Sequence, residues 1–240
     1  MRKTLFSLLA VTVLLTAIGC ASTGKRTLFS ETPVALVSIA SNYDINWKGE
    51  KPTTESIAGS AIRRLLRTDE SLAIVTKADV IIDDAEEIIR STLDNSPNFS
   101  LAPKDSFLRS RSYIDARLNP YQENDKMIAP TGYRLVYHRE KNFYPAFARE
   151  TGIERTLFIT LDLTKEMSFG AGKNGRCRGK VDMAVLLKDS RGKTLFNKIY
   201  QASSLGETQV RTGAYSQEEL LDLLRSAIGD ACLDFLDDLK

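Results

Sequence analysis

The amino-acid sequence predicts an α+β domain: an antiparallel or mixed β-sheet with helices packed mainly on one face and a long C-terminal amphipathic helix. Three stretches carry that expectation. Residues 155–163 alternate Leu157, Ile159, Leu161 and Leu163 against Thr156, Thr160 and Asp162, the period-two pattern of a strand with one buried face. Residues 180–188 repeat it through Val181, Met183, Val185 and Leu187, and Asp189-Ser190-Arg191-Gly192 then turns the chain into a third run at 193–201, giving an antiparallel meander. Ser216-Gln217-Glu218-Glu219 is a capping box, in which the serine accepts from the N3 amide and Glu219 reaches back to the cap. Behind it Leu220, Leu224, Ala227, Ile228, Ala231, Phe235 and Leu239 recur at steps of three and four, a stripe that must pack on the sheet.

The other elements follow in chain order. Residues 33–39 are apolar and rich in β-branched side chains, and read as a buried strand. Residues 41–53 carry Asn, Asp, Gly and Pro around Trp47 and read as a loop. A helix is expected at 55–67 with Ile57, Ala61, Ile62, Leu65 and Leu66 inward, although Gly59 and Ser60 weaken it, and a brief strand at 72–76. Residues 79–95 form a better helix, with Asp79 or Asp83 as N-cap, Asp84, Glu86 and Glu87 near the positive end of its dipole, and Ile81, Ile82, Ala85, Ile88, Ile89 and Leu93 as its apolar stripe. Ser96-Pro97 stops it. A short strand at 99–103, a helix from an Asp105 cap to Tyr113 and a long surface connection over 114–132 come next. Pro145 suits the first position of a helix that ends at Thr151 with Gly152 as its C′ residue.

The first twenty residues are of another kind. Arg2 and Lys3 precede an uncharged apolar run over 5–18, shorter than the roughly 20 residues a bilayer-spanning helix needs. Ala17-Ile18-Gly19-Cys20 resembles the lipobox of bacterial lipoproteins, in which the cysteine is diacylated and becomes the mature N-terminus after cleavage before it. Gly19 and Cys20 fit the pattern; Ala17 stands where it most often has leucine. The resemblance implies cleavage between Gly19 and Cys20, a covalent lipid on Cys20, and a peripheral protein on the periplasmic or outer side of its membrane. Two or more acyl chains anchor stably where one is marginal. Ala21 replaces the aspartate that favours inner-membrane retention in the enteric sorting pattern, which points to the outer membrane. The expected organisation is a signal peptide at 1–19, the lipidated cysteine and a short tether at 20–32, and one globular domain at 33–240. Residues 21–32 reach about 40 Å fully extended and about 20 Å as a coil, so the domain sits close to its membrane.

Charge narrows the partners. The chain has 33 Lys and Arg against 31 Asp and Glu, and losing Arg2 and Lys3 with the signal leaves 31 against 31. A neutral, mixed surface predicts neither nucleic-acid binding nor a polybasic patch for acidic lipid, and Arg63, Arg64 and Arg67 read as a solvated helix face.

Catalytic chemistry has little to work with. His138 is the one histidine, so any Ser-His-Asp triad must pass through it, and no G-x-S-x-G elbow exists. The run Gly170-Ala171-Gly172-Lys173-Asn174-Gly175 resembles a phosphate loop superficially, but Asn174 stands where Ser or Thr is required, and Asn174-Gly175 reads as a hairpin turn. Asp83, Asp84, Glu86 and Glu87 are explained by the first turn of a helix without a metal. Tyr133, Tyr137, Phe143, Tyr144 and Phe147 read as core packing in preference to a ligand groove. Cys177 and Cys232 are either a disulfide stapling helix to sheet, worth roughly 4 kcal/mol in the chain-entropy picture, or two buried thiols.

The order of elements, on residues 34–39, the helix 79–95, the strands 155–163 and 180–201 and the last helix, resembles a group of small α/β domains in envelope lipoproteins. They include the penicillin-binding protein activator lipoproteins, the curli secretion channel lipoprotein and the N-terminal domain of the TolB translocation protein. This resemblance implies a non-catalytic binding or assembly role. The chain departs from the activators in its short tether and from the curli channel in lacking long alternating membrane hairpins. The expectation is therefore a lipid-anchored envelope module that is not an enzyme, with no cofactor beyond the lipid on Cys20. Its partners are membrane lipid and an envelope protein. An envelope hydrolase with an unrecognised site and an auxiliary subunit of an envelope transporter stand as alternatives.

Overall fold

The two alternating runs pair with each other, and both continue past their periodic part. The computed structural model describes residue 29 and residues 32–48, 76–120, 127–171 and 174–239. In it β5 (Arg155–Ala171) lies antiparallel to β6 (Asn174–Asp189), with Leu157 opposite Leu187 and Leu163 opposite Val181. β7 (Thr194–Ser203) completes the expected meander on the far side of β6. The turn between β6 and β7 is set by Asp189, whose Oδ1 accepts from the amides of Arg191 and Lys193 at 2.9 and 2.8 Å. Gly192 there has φ +77°, and a Cβ on it would stand 2.6 Å from the Tyr144 ring, so glycine is required twice over.

The rest of the sheet grows from the other edge of β5. β1 (Val34–Asn42) runs parallel to it and β2 (Asp44–Trp47) continues that pairing further along. β3 (Thr76–Lys77), β4 (Met127–Ile128) and β8 (Thr208–Val210) add antiparallel to β2, β1 and β6, making a mixed sheet. β2 lies inside the stretch expected as a loop: Ile45 is buried, and the local Asn, Asp and Gly signals yield to that contact. The expected helix at 55–67, with Arg63, Arg64 and Arg67, most of the strand at 72–76, and Cys20 lie outside the described residues.

One face of the sheet carries the main core. Along β6 the residues from Cys177 to Leu187 alternate buried and half-buried, and the two long helices lie over the buried side. These are α1 (Ile82–Asp94) and α4 (Gln217–Asp237). All seven residues of the expected α4 stripe are fully buried. The helix backbone comes so near the sheet that a Cβ at Gly179 would meet the Leu224 amide nitrogen at 2.9 Å. Ser216 caps α4 by accepting from Glu219 N at 3.2 Å, as expected, but the Glu219 carboxylate is taken by the Thr208 hydroxyl and does not return to the cap.

A smaller core covers part of the second face. α2 (Arg111–Ile114) and α3 (Phe143–Thr151) bring Tyr113, Phe143 and Phe147 against Ala35, Val37 and Phe158. The helix expected from Asp105 breaks in two: Asp105 sits in a 3-10 turn, and Ser110 caps α2 by accepting from Tyr113 N. α3 begins two residues before Pro145 and ends on Gly152 at φ +73°. Neither Asp79 nor Asp83 caps α1, which is entered through a 3-10 turn at Ala78–Val80. The expected strand at 99–103 contributes a single bridge, Leu101 to Val34.

The domain begins earlier than residue 33. Phe29 is fully buried, its ring centroid 5.0 Å from Phe99, 5.5 Å from Phe196 and 5.4 Å from Phe235, and its carbonyl accepts from Ser100 N at 2.8 Å. Phe29→Ala should lower the unfolding free energy by about 3–5 kcal/mol, and Gly179→Ala by about 1–3 kcal/mol. Denaturant titration checks both; unchanged midpoints would contradict the packing described.

Candidate functional site

Where the small core ends, the second face of the sheet opens to solvent. Cross-strand register places Asp162 opposite Asp182, Thr164 opposite Lys180 and Glu166 opposite Arg178 on β5 and β6, and Gln201 opposite Asp182 and Ile199 opposite Ala184 on β7 and β6. Antiparallel sheets keep one face wet in this way because short turns do not cover it. The charges are partly matched. Lys48 Nζ donates to Glu166 Oε1 at 2.7 Å and holds that carboxyl below its ordinary range. Gln201 Nε2 donates to Asp182 Oδ2 at 3.0 Å, with Lys180 Nζ 3.4 Å from Asp182 Oδ1. Partial burial, and then the facing Asp182, push the Asp162 carboxyl up. This face can hydrogen-bond a polar partner of either sign.

A second concavity of about 390 Å³ lies between α2 and α3, lined by Arg111, Ser112, Asp115, Asn142, Arg149 and Glu150. Of its acids, Asp115 accepts from Arg111 Nε at 3.2 Å, and Glu150 and Glu140 serve the backbone. Glu150 accepts from Arg111 N at 2.7 Å and Ser112 N at 2.8 Å, which lowers its pKa, and Glu140 accepts from Arg117 N at 2.6 Å.

The side chains weighed for chemistry are dispersed. His138 lies beside the Tyr137 and Phe158 rings, and its pKa is lowered by burial first and then by the cations Arg139 and Lys188. Asp83 accepts from Thr131 N and Oγ1 at 2.6 and 2.9 Å. Asp84 accepts from Arg225 Nε and Nη2 at 2.8 and 2.6 Å, Glu86 pairs with Lys104 at 2.7 Å, and Glu87 is exposed. No group of three potential metal ligands occurs among the described residues. Tyr133, Phe143, Tyr144 and Phe147 are buried and Tyr137 half-buried, as core packing requires. Asn174 and Gly175 are not the hairpin turn: they pair with Ala171 and Gly170 within the ladder.

The disulfide between Cys177 and Cys232 is not formed; both are free and buried. Cys232 Sγ lies 3.8 Å from Met183 Sδ, whereas Cys177 is six positions back along β6, about 20 Å at the strand rise. A bridge needs Cα atoms within about 7 Å.

Lys165 was missed. It continues the inward series of β5, and only 4% of it is exposed. Its Nζ donates to Tyr215 Oη at 2.9 Å and stands 5.3 Å from the Trp47 ring and 4.9 Å from that of Tyr215, while Tyr215 Oη shares a 2.7 Å hydrogen bond with Thr76. The aromatic faces stabilise the ammonium where the core ends. The signal was present: counting in twos from Leu157 reaches 165.

No family model and no curated protein matches the chain. Among solved structures it is similar to the hypothetical protein CT253 from Chlamydia trachomatis, at 12% identity over 87% of this chain and 92% of that one, with a TM-score of 0.34.

Burial pushes the Cys177 thiol up to about 11 and the Cys232 thiol up to about 12. Since the thiolate is the reactive form, neither cysteine should alkylate in the native protein at pH 8, and both should after denaturation without reductant. Peptide mass spectrometry reads the outcome; a linked 177–232 peptide would contradict it.

Proposed function

We propose that the chain is a lipid-anchored envelope lipoprotein whose domain is a non-catalytic binding or assembly module held against its own membrane, the outer membrane on the strength of Ala21. The observation that carries this reading is the series Arg2, Lys3, the uncharged run 5–18, and Ala17-Ile18-Gly19-Cys20. The position of Phe29 supports closeness to the membrane. Residues 21–28 alone separate Cys20 from the core, and eight residues reach at most about 28 Å. The commitment of His138, Asp83, Asp84 and Glu86 to packing and hydrogen bonds within the domain supports a binding role over a hydrolytic one. The open face of β5, β6 and β7 is the surface this reading offers to an envelope protein.

Cys20→Ala removes the thiol that this reading acylates. The variant should leave the membrane fraction while keeping the circular dichroism and unfolding midpoint of the parent domain. Continued partition with membranes after a carbonate wash would overturn the lipid anchor.

A further inference from the structure

We propose that β7 is the edge through which two copies of this chain pair, extending the sheet across a two-fold axis at Ile199. Among the described strands β7 pairs with β6 alone, so its outer edge is free. Three consecutive residues at its middle, Asn197, Lys198 and Ile199, are exposed, and Ile199 is an apolar side chain 59% open to solvent.

The hydrogen-bond phase of the strand tells which residues face outward. Ser204 N donates to Gly179 O at 2.9 Å, and the register runs without a break from Lys180 opposite Ser203 to Leu187 opposite Phe196. Bonded and non-bonded pairs alternate in an antiparallel ladder, so residues 196, 198, 200 and 202 spend their backbone groups on β6. Residues 195, 197, 199, 201 and 203 turn theirs outward. A two-fold axis at Ile199 places it opposite itself as a bonded pair, with Asn197 opposite Gln201 of the second copy on either side.

The side chains fit that register. Ile199 meets Ile199, the amides of Asn197 and Gln201 face each other, and Lys198 faces Tyr200 of the second copy. Lys198, the strand's one charge, thus meets no like charge. Moving the axis to Lys198 would set two lysines opposite each other, which is unfavourable. The usual protections of an edge are weak here. Residues 196–203 hold no proline and no bulge, and the Lys198 ammonium is drawn aside to Asp238 at 3.0 Å. A strand from another protein would need no such self-complementarity, which is why the second copy is the occupant the edge favours.

Two measurements test this on the full mature chain. Ile199→Pro removes an amide that β6 does not use, so the monomer should fold normally. In sedimentation velocity the parent chain should carry the mass of two copies and the variant that of one, with the same circular dichroism. On mild oxidation in membranes Ile199→Cys should give a covalent dimer, because its Cα lies about 5.5 Å from its counterpart. Ser203→Cys, opposite Leu195, should not. A monomeric parent chain, equal crosslinking of the two variants, or an Ile199→Cys adduct with a different protein would each overturn the proposal.

Discussion

The contact between α4 and the β5–β6–β7 meander holds the domain together. Its seven stripe residues are fully buried, and each Leu, Ile or Phe among them contributes roughly 1.5–3 kcal/mol against exposure. The contact is also a close one, since Gly179 lets the helix backbone come within reach of the sheet. Because α4 runs across the sheet from just after Tyr215 to beyond Phe235, it joins the Lys165 end of the sheet to the Phe29 cluster. Near its start Lys165 is held by Tyr215, and near its end Phe235 meets Phe29, Phe99, Phe196 and Tyr200. Phe29 is therefore fastened to the same helix that closes the fold.

Signals that are local and repeated were legible in the sequence. The alternation of Leu157 to Leu163 and Val181 to Leu187 survives because one face of each strand is buried along its length, and the α4 stripe because seven positions repeat one message. Single-residue signals fared worse, since a tertiary partner can outbid a local one. Asp83 goes to Thr131 and not to the cap of α1, Glu219 goes to Thr208, and Asp105 gives way to Ser110. Cys177 and Cys232 both face the main core, but Cys232 packs on Met183, six positions along β6 from Cys177, a distance that sequence separation does not encode.

The candidate site divides the same way. The resemblance to a lipobox rests on residues 17–20 and needs no fold to be read. Phe29 escaped notice because Leu28-Phe29 is a brief apolar pair inside a polar stretch, and only the ring cluster across three other segments gives it meaning. The open face of β5 to β7 follows from topology: the long helices lie on one side, the small core reaches only the beginning of β5, and β7 is an edge. None of these is a property of a single segment.

What the domain does depends first on where it is held, and the intact mass of the protein extracted from membranes reports that most directly. The anchored reading predicts a chain that begins at Cys20, without residues 1–19, and carries at least two acyl chains on that residue. A mass that includes Met1, or an unmodified chain beginning elsewhere, would contradict it.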